Sequence, residues 1–423
     1  MSGSAKGGGI SELKRGWPAL LGATIGLGIG GAALPFYTVG LFVGHFETEL
    51  GWTRSQMSLV ALASTAMLAL AAPLAGLAID RWGVRLVAAV GYAALAGTFW
   101  FNSQMTEAFW LYALVHIAGL PLIAGTTPIG LTRPVNAVFD RMRGMALGIA
   151  IGGTGVAAFL APLMVGRAVE ADGWRAASQQ LALVVLFGAP LVLWLIGINA
   201  PRRPPQIVQT GPRAPLPFRD PLFLRLAACF LLVALAAAGF TMHFVPMLTD
   251  QGLSFGQAVQ IQGVLGVAVL AGRIVVGAAM DRFFAPLVGA VLLIVTAAGF
   301  VLLAVGGVQF AVVAAFAIGF ALGAEGDLIA YLTARYFGMR TYGRIYGLFY
   351  GAFMIGLGSS PYMLAKVHAA SGSYVPAMWI AAGLLSVAAL LFLTAPKFPA
   401  QEAETEGEAS VGPVAGARAA DLA

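Results

Sequence analysis

The chain has 423 residues, of which 59% are apolar and only 10% are charged, with 24 Lys plus Arg against 18 Asp plus Glu, 55 glycines and one cysteine. Soluble domains carry about 25% charged residues and disorder needs low hydrophobicity, so both classes are excluded, and a single cysteine, Cys229, cannot build a disulfide framework. The apolar residues come in unbroken runs instead of alternating with polar ones, which excludes a transmembrane barrel and leaves membrane-crossing helices.

A crossing needs roughly 20 mostly apolar residues, and about twelve runs come to that length. In chain order they are Trp17 to His45, Gln56 to Ala78, Leu86 to Asn102, Phe109 to Leu131, Gly144 to Val169 and Ala176 to Ala200. After a break come Leu222 to Leu248, Phe255 to Met280, Pro286 to Gly306, Phe310 to Leu332, Gly343 to Lys366 and Tyr374 to Leu393. The first run is too long for a signal-peptide core, so it reads as an uncleaved span. The expected architecture is an all-α membrane protein of twelve helices in two pseudo-symmetric six-helix bundles. Residues 1–16 form an N-terminal segment, 17–200 the first bundle, 201–221 a Pro- and Arg-rich linker, 222–395 the second bundle, and 396–423 a disordered tail rich in glutamate.

Lys and Arg concentrate in loops that stay cytoplasmic. With the N-terminus inside, that side collects Arg81, Arg85, Arg133, Arg282, Arg335 and most other basic residues, whereas the outer side holds only Arg54, Arg167, Arg175 and Lys366. Both termini are therefore expected in the cytoplasm, across a plasma (inner) membrane. The net charge of +6 then reflects topology, and no nucleic-acid partner is implied. One basic residue, Arg273, falls inside a span.

The two bundles read as repeats. Gly51-Trp52-Thr53-Arg54-Ser55-Gln56 aligns with Gly252-Leu253-Ser254-Phe255-Gly256-Gln257, and at the same spacing Gly76, Asp80 and Arg81 align with Gly277, Asp281 and Arg282. Thr53 and Ser254 are expected helix N-caps, Gly76 and Gly277 places of close helix approach, and Asp80 and Asp281 partners of a helix N-terminus or a basic residue. Such contacts hold one face of a rocking bundle shut and break when it opens. Two related halves around a central site are a transporter architecture.

Gly76-Leu77-Ala78-Ile79-Asp80-Arg81-Trp82-Gly83-Val84-Arg85 resembles the G-x-x-x-D-R-x-G-x-R loop of the major facilitator superfamily, with Gly277 to Arg282 a truncated copy. The resemblance covers roughly Trp17 to Leu393 and makes Gly76, Asp80, Arg81, Gly83, Arg85, Gly277, Asp281 and Arg282 the expected conformational motif. A finer resemblance, to the oxalate:formate antiporter and monocarboxylate transporter group, rests on Gly51 to Gln56 and on Gly272-Arg273. It implies that Arg273 binds a substrate carboxylate. The chain departs from that group in having Phe36 where proton-coupled relatives have a lysine, Val269 where they have an aspartate, and no lysine between Tyr342 and Ala365.

A charge at mid-membrane costs about 2.5 to 3.5 kcal/mol on insertion scales, so by default it marks function. The deep charges are Arg273, Glu325 and Asp327. Glu325 and Asp327, two positions apart, point to opposite faces of a regular helix, while Gly323 and Gly326 can loosen it. Glu325 is the expected partner of Arg273, either as a resting counter-ion or as a proton site, and Asp327 shares a face with Tyr331. Phe36 and Tyr37 follow Pro35 at an expected kink. Tyr342, Tyr346, Phe349, Tyr350 and Phe353 form a stripe in which Tyr346 or Tyr350 can reach an oxyanion. His116 and His243 are titratable groups within spans. Gly26-x-Gly28-x-x-Gly31 matches a dinucleotide fingerprint but follows no strand, so it reads, like Gly148, Gly152 and Gly155, as helix packing. Four histidines and one cysteine give no metal-ligand spacing, and no catalytic set appears, so neither metal, cofactor nor enzymatic activity is expected.

The expected function is a secondary transporter moving a small organic anion, a monocarboxylate first of all, by proton symport or anion exchange. It would work as a monomer in contact with lipid, with Arg273 on the carboxylate. The competing reading is an exporter of a cationic or amphipathic compound held by Glu325 or Asp327.

Overall fold

The computed structural model describes residues 9–139, 142–198 and 217–399. The expected linker core 201–216, the tail from 400 and residues 1–8 lie outside the described residues. Those described are almost entirely helical and contain no strand. The helices are α1 (Gly9–Gly28), α2 (Leu34–Leu50), α3 (Arg54–Trp82), α4 (Val84–Ser103), α5 (Phe109–Ile123), α6 (Pro128–Val138) and α7 (Arg143–Ile198). There follow α8 (Pro221–Asp250), α9 (Phe255–Arg282), α10 (Ala285–Gly306), α11 (Ala311–Ser371) and α12 (Val375–Leu393).

Among the described residues, nine helical stretches are long and apolar enough to cross a membrane. Two helices exceed one crossing. At 1.5 Å per residue, the 56 residues of α7 would reach about 84 Å, against about 30 Å of hydrocarbon. α7 instead folds at Gly173 (φ 81°), and the 61-residue α11 folds at Gly338 (φ 71°). Both residues sit in the left-handed region that glycine enters without a Cβ clash.

Chain ends and breaks differ from expectation at four places. Helix α1 begins at Gly9, two turns before the expected span. The first span is interrupted between Gly28 and Leu34, upstream of the kink expected at Pro35, and the fourth is interrupted by a 3-10 turn at Ala124–Thr126. The two breaks touch, the backbone N–H of Gly31 donating to Thr126 Oγ1 at 2.9 Å. Pro35 and Pro128 then lie in the first turns of α2 and α6, where a missing N–H costs nothing. At the far end, Phe398 packs against Phe284 and Tyr336, so the start of the expected disordered tail is held against the second half.

The repeat is visible in helix boundaries. Helices α3 and α9 start at Arg54 and Phe255, α4 and α10 at Val84 and Ala285, and the arm of α7 after Gly173 matches α12, which starts at Val375. Both expected N-caps are present as full capping boxes, Thr53 with Gln56 and Ser254 with Gln257. An aromatic cluster of Phe46, Trp52, Tyr112 and Trp174 anchors the first half at the Arg54 end. Each such ring buried contributes about 1.5–3 kcal/mol. Phe223, Phe230, Phe349 and Phe392 form a second cluster in the second half, toward the Asp80 end.

The halves are joined at the Arg54 end. There α7 meets α9 closely at Gly166 against Val259, Gly263 against Leu163 and Gly155 against Leu270. Helix α3 meets α11 at Thr65 and Gly358, and Gln262 Nε2 of α9 donates to the Tyr37 carbonyl of α2 at 3.0 Å. Toward the Asp80 end the pattern stops. A Cβ at Gly148, Gly152 or Gly277 would meet nothing within 4 Å, and the same holds at Gly343, Gly347 and Gly351. The molecule is therefore closed at the Arg54 end and parted at the Asp80 end. This corrects the packing role expected of Gly148, Gly152 and Gly277; Gly26, packed on Tyr92 and Val192, and Gly155 keep theirs.

Candidate functional site

Helix α9 places Arg273 three residues beyond Leu270, the level at which the halves part. Its neighbour Gly272 brings α9 against α11: a Cβ there would lie 2.9 Å from both Cα and the carbonyl carbon of Phe320. One turn further along α11, Gly323 is seated just as tightly on the Val269 backbone, its Cβ position 3.0 Å from Val269 Cα. This double glycine contact sets the side chain of Arg273 opposite the acidic turn of α11. It also buries Val269, at the position where relatives of the resembled group carry an aspartate.

Helix α11 is regular through this turn, and among the described residues its non-helical residue is Gly338. Gly323 and Gly326 therefore do not unwind it, and Glu325 and Asp327 do point to opposite faces. Asp327, not Glu325, is the ion-pair partner: its Oδ2 lies 4.0 Å from Arg273 Nε. The expected Arg273–Glu325 pair is thus corrected. The reason is the 200° separation on an ideal helix: once Asp327 faces the cleft, Glu325 must face the packed interior. Glu325 is 5% exposed, and no hydrogen-bond donor among the described residues reaches its Oε1.

At 4.0 Å the Arg273–Asp327 contact is longer than a charge-assisted hydrogen bond. Among the described residues no hydrogen bond to the Arg273 guanidinium is present, although its side chain is only 18% exposed. A half-buried planar fork with unfilled donors is able to receive a planar anion.

Two further expected residues gather around it. Tyr37 lies within electrostatic reach of both Arg273 and Glu325, and its ring is buried with the edge of Phe36 at 5.0 Å. Tyr346 lies within reach of Asp327 and Arg273 and stands in a ladder Tyr342–Tyr346–Tyr350–Phe353, with centroid spacings of 5.5, 5.9 and 5.9 Å. The fifth member of the stripe, Phe349, is fully buried against Phe223 and Phe230 and lines no cleft. Tyr331 packs toward Phe398 at 6.3 Å, at the Asp80 end of α11. His116 packs on Tyr112, tilted by 37° at 4.0 Å, and bonds the Tyr112 carbonyl at 2.9 Å within the first half; these contacts do not bring it to Arg273.

The loop motif is only partly built. Arg133 forms an ion pair with Asp80 and approaches the Gly76 carbonyl at 3.5 Å. Gly83, φ 84° and ψ 155°, ends α3 and starts α4 in a conformation that excludes other residues. Arg81 lies over Trp82, and Gly197 leaves room for the Arg85 guanidinium. In the second half Ala334 stands where the repeat would place an equivalent of Arg133, and Asp281 makes no ion pair among the described residues. Gly76 and Gly277 do not bring helices together: the nearest atom to a Cβ at Gly76 is Arg133 Nη2 at 3.7 Å.

Bundled membrane-crossing helices, a cleft closed at one end and a charged cluster at its floor define a transporter fold. The sequence profile of the Major Facilitator Superfamily matches residues 25–361, and the chain belongs to that family. Among characterised proteins it is 29% identical over 227 residues to monocarboxylate transporter 11 of Homo sapiens, covering 51% of this chain and 46% of that one. It is 26% identical over 367 residues to MFS transporter asaE of Aspergillus flavus, covering 84% and 81%. A riboflavin transporter, RibJ of Trypanosoma cruzi, matches 175 residues at 26% identity, covering 40% of this chain and 35% of its own. The chain thus spans less than half the length of the first and third relatives. In fold it is similar to the crystal structure of a bacterial homolog of the human lysosomal transporter Spinster, inward-facing and occupied. The TM-score is 0.68 at 15% identity, covering 89% of this chain and 95% of that one.

Proposed function

We propose that the chain is a twelve-pass secondary transporter that carries a small organic anion, a monocarboxylate first of all, by alternating access. Coupling is to a proton or to a counter-anion. The halves are residues 17–200 and 222–395, the termini are cytoplasmic in a plasma (inner) membrane, and a monomer suffices. In that orientation the parted Asp80 end faces the cytoplasm.

The observation that carries this reading is the Arg273 guanidinium at the floor of the cleft, which among the described residues has no hydrogen bond and one loose ion pair at 4.0 Å. A carboxylate accepts two parallel N–H donors from such a fork, displacing Asp327 toward the cleft, where it is already 36% exposed. Tyr346 and Tyr37, each within electrostatic reach of Arg273, are the candidates to add a hydroxyl to the carboxylate or to its substituents. The likeness to a monocarboxylate transporter at 29% identity supports the same class. For a cationic cargo the arrangement is poorer, because Arg273 repels it and Glu325 lies in the packed interior.

The test is uptake into liposomes of a panel of labelled monocarboxylates, with and without an imposed pH gradient and with and without internal anion. Uptake that follows the gradient assigns symport, and uptake that needs internal anion assigns exchange. No uptake of any carboxylate by the wild-type protein would contradict the proposal.

A further inference from the structure

The segment Gly51 to Gln56 carries a residue that neither the cleft nor helix capping uses. Arg54 is only 11% exposed at its side chain, and its partners belong to three other helices or their caps. Its Nε donates to Glu47 Oε2 of α2 at 3.0 Å, both terminal nitrogens engage Asp250 at the end of α8, and Nη1 donates to the Tyr374 hydroxyl at 3.2 Å. His368 of α11 adds its Nε2 to Asp250 at 3.5 Å and stacks on the Tyr374 ring at 4.4 Å.

The contacts continue inward through a fully buried histidine. His243 Nδ1 lies 2.9 Å from the Tyr374 hydroxyl, and its Nε2 lies 3.0 Å from both the Pro361 carbonyl and Ser58 Oγ. A carbonyl only accepts, so Nε2 carries the donated proton and Nδ1 accepts from the tyrosine O–H. Arg54 and Ser58 stand one turn apart on the same face of α3 in the first half, while Asp250, His243, Pro361 and Tyr374 all belong to the second. Removing one member leaves its neighbours buried without partners, which makes the network cooperative.

The repeat shows that this is not a generic helix-end contact. Phe255 stands at the position equivalent to Arg54, and it crosses to the opposite half as well, meeting His45 edge-on at 5.6 Å. Glu49 stands at the position equivalent to Asp250, yet it is bonded at 3.0 Å to Arg175 of its own half. One of the two symmetry-related crossings is therefore ionic and the other apolar.

We propose that the Arg54–Asp250–Tyr374–His243–Ser58 chain is the gate of the Arg54 end. It holds that mouth closed while the cleft is open at the other, and it must break before Arg273 can be reached from the Arg54 side. These are positioning residues, which touch no cargo. The proposal rests on the halves rocking about the cleft and not on which solute the cleft takes.

The experiment needs no substrate. In a Cys229→Ala background, spin labels at Thr106→Cys and Ala370→Cys report the separation of the halves at the Arg54 end. Labels at Asn136→Cys and Phe283→Cys report it at the other end. All four positions are exposed. Arg54→Ala is expected to shift the first distance longer and the second shorter, as one rocking motion. Asp250→Ala should do the same, and the double variant should go no further than either alone. Tyr374→Phe, which keeps the packing and loses only the hydroxyl, should give a smaller shift of the same sign. Unchanged distributions in Arg54→Ala would overturn the proposal. So would a lengthening at the Arg54 end with no change at the other, because that is local loosening of a structural contact. Additive shifts in the double variant would show that the two residues do not act as one bond.

Discussion

Gly272 and Gly277 lie five residues apart in α9, and replacing each by alanine should have opposite effects. At Gly272 the new Cβ would sit 2.9 Å from two backbone carbons of Phe320. Carbon atoms rest at about 3.5–4.0 Å, so α9 and α11 must separate by roughly 1 Å at their crossing. Backbone atoms cannot swing aside as a side-chain end would, and overpacking of this kind costs about 1–3 kcal/mol. Removing a helical glycine returns about 0.5–1 kcal/mol, so Gly272→Ala is left destabilised by roughly 1 kcal/mol, and by about 2.5 kcal/mol at most. At Gly277 nothing lies within 4 Å, so only the gain applies. Thermal unfolding of the purified variants should therefore move down for Gly272→Ala and up or not at all for Gly277→Ala. Arg273 rides on the displaced helix, so Gly272→Ala should weaken carboxylate binding as well. Equal behaviour of the two variants would refute the account of how α9 and α11 position the site.

Asp327→Asn removes the anion that competes for Arg273. At 4.0 Å, with side-chain exposures of 18% for Arg273 and 36% for Asp327, the pair is partly screened by solvent. About 1–2 kcal/mol is then released to a bound carboxylate, and equilibrium binding should tighten by roughly 5- to 30-fold by the same estimate; unchanged or weaker binding would show that Asp327 is no competitor. Gly83→Ala forces a Cβ into φ 84°, ψ 155°, a strain of about 1–3 kcal/mol. It should lower the unfolding temperature although a Cβ there would meet nothing within 4 Å; an unchanged unfolding temperature would remove the strain argument for this loop glycine.

Much of the fold was legible because its signals are local. Thr53 with Gln56 and Ser254 with Gln257 announce two helix starts three residues deep, and both capping boxes form. Arg273 was legible as an anomaly, a cation that topology could not place. What failed was local ambiguity or long range. Gly28 to Gly31 reads equally as a packed helix and as a broken one, and only Thr126, distant in sequence, decides for the break. Gly277 looks like its repeat mate Gly76, yet whether a glycine is packed depends on which end of the molecule is open. Glu325 and Asp327 were correctly read as facing apart, but choosing between them required the rotation of α11, which Gly272 and Gly323 set through their contacts with α9. The Arg54–Asp250 contact joins residues far apart in sequence, and the repeat hides it, because Phe255 replaces the arginine in the second copy. Asp281 shows the converse: the repeat extends the motif to it, but Ala334 leaves it without the partner that Asp80 has.

The most direct measurement is equilibrium binding of a transported monocarboxylate to the purified wild type, Arg273→Lys and Arg273→Ala. Charge-assisted hydrogen bonds contribute about 1.5–3 kcal/mol each, so loss of a two-pronged contact predicts affinity falling by about a hundredfold or more in Arg273→Ala. Arg273→Lys keeps the charge and loses the fork, and should fall between the two. The three proteins should show the same unfolding temperature without ligand to within the change that one cleft-facing side chain allows. Arg273→Ala that binds the carboxylate as tightly as the wild type would contradict the assignment of Arg273 as its receptor.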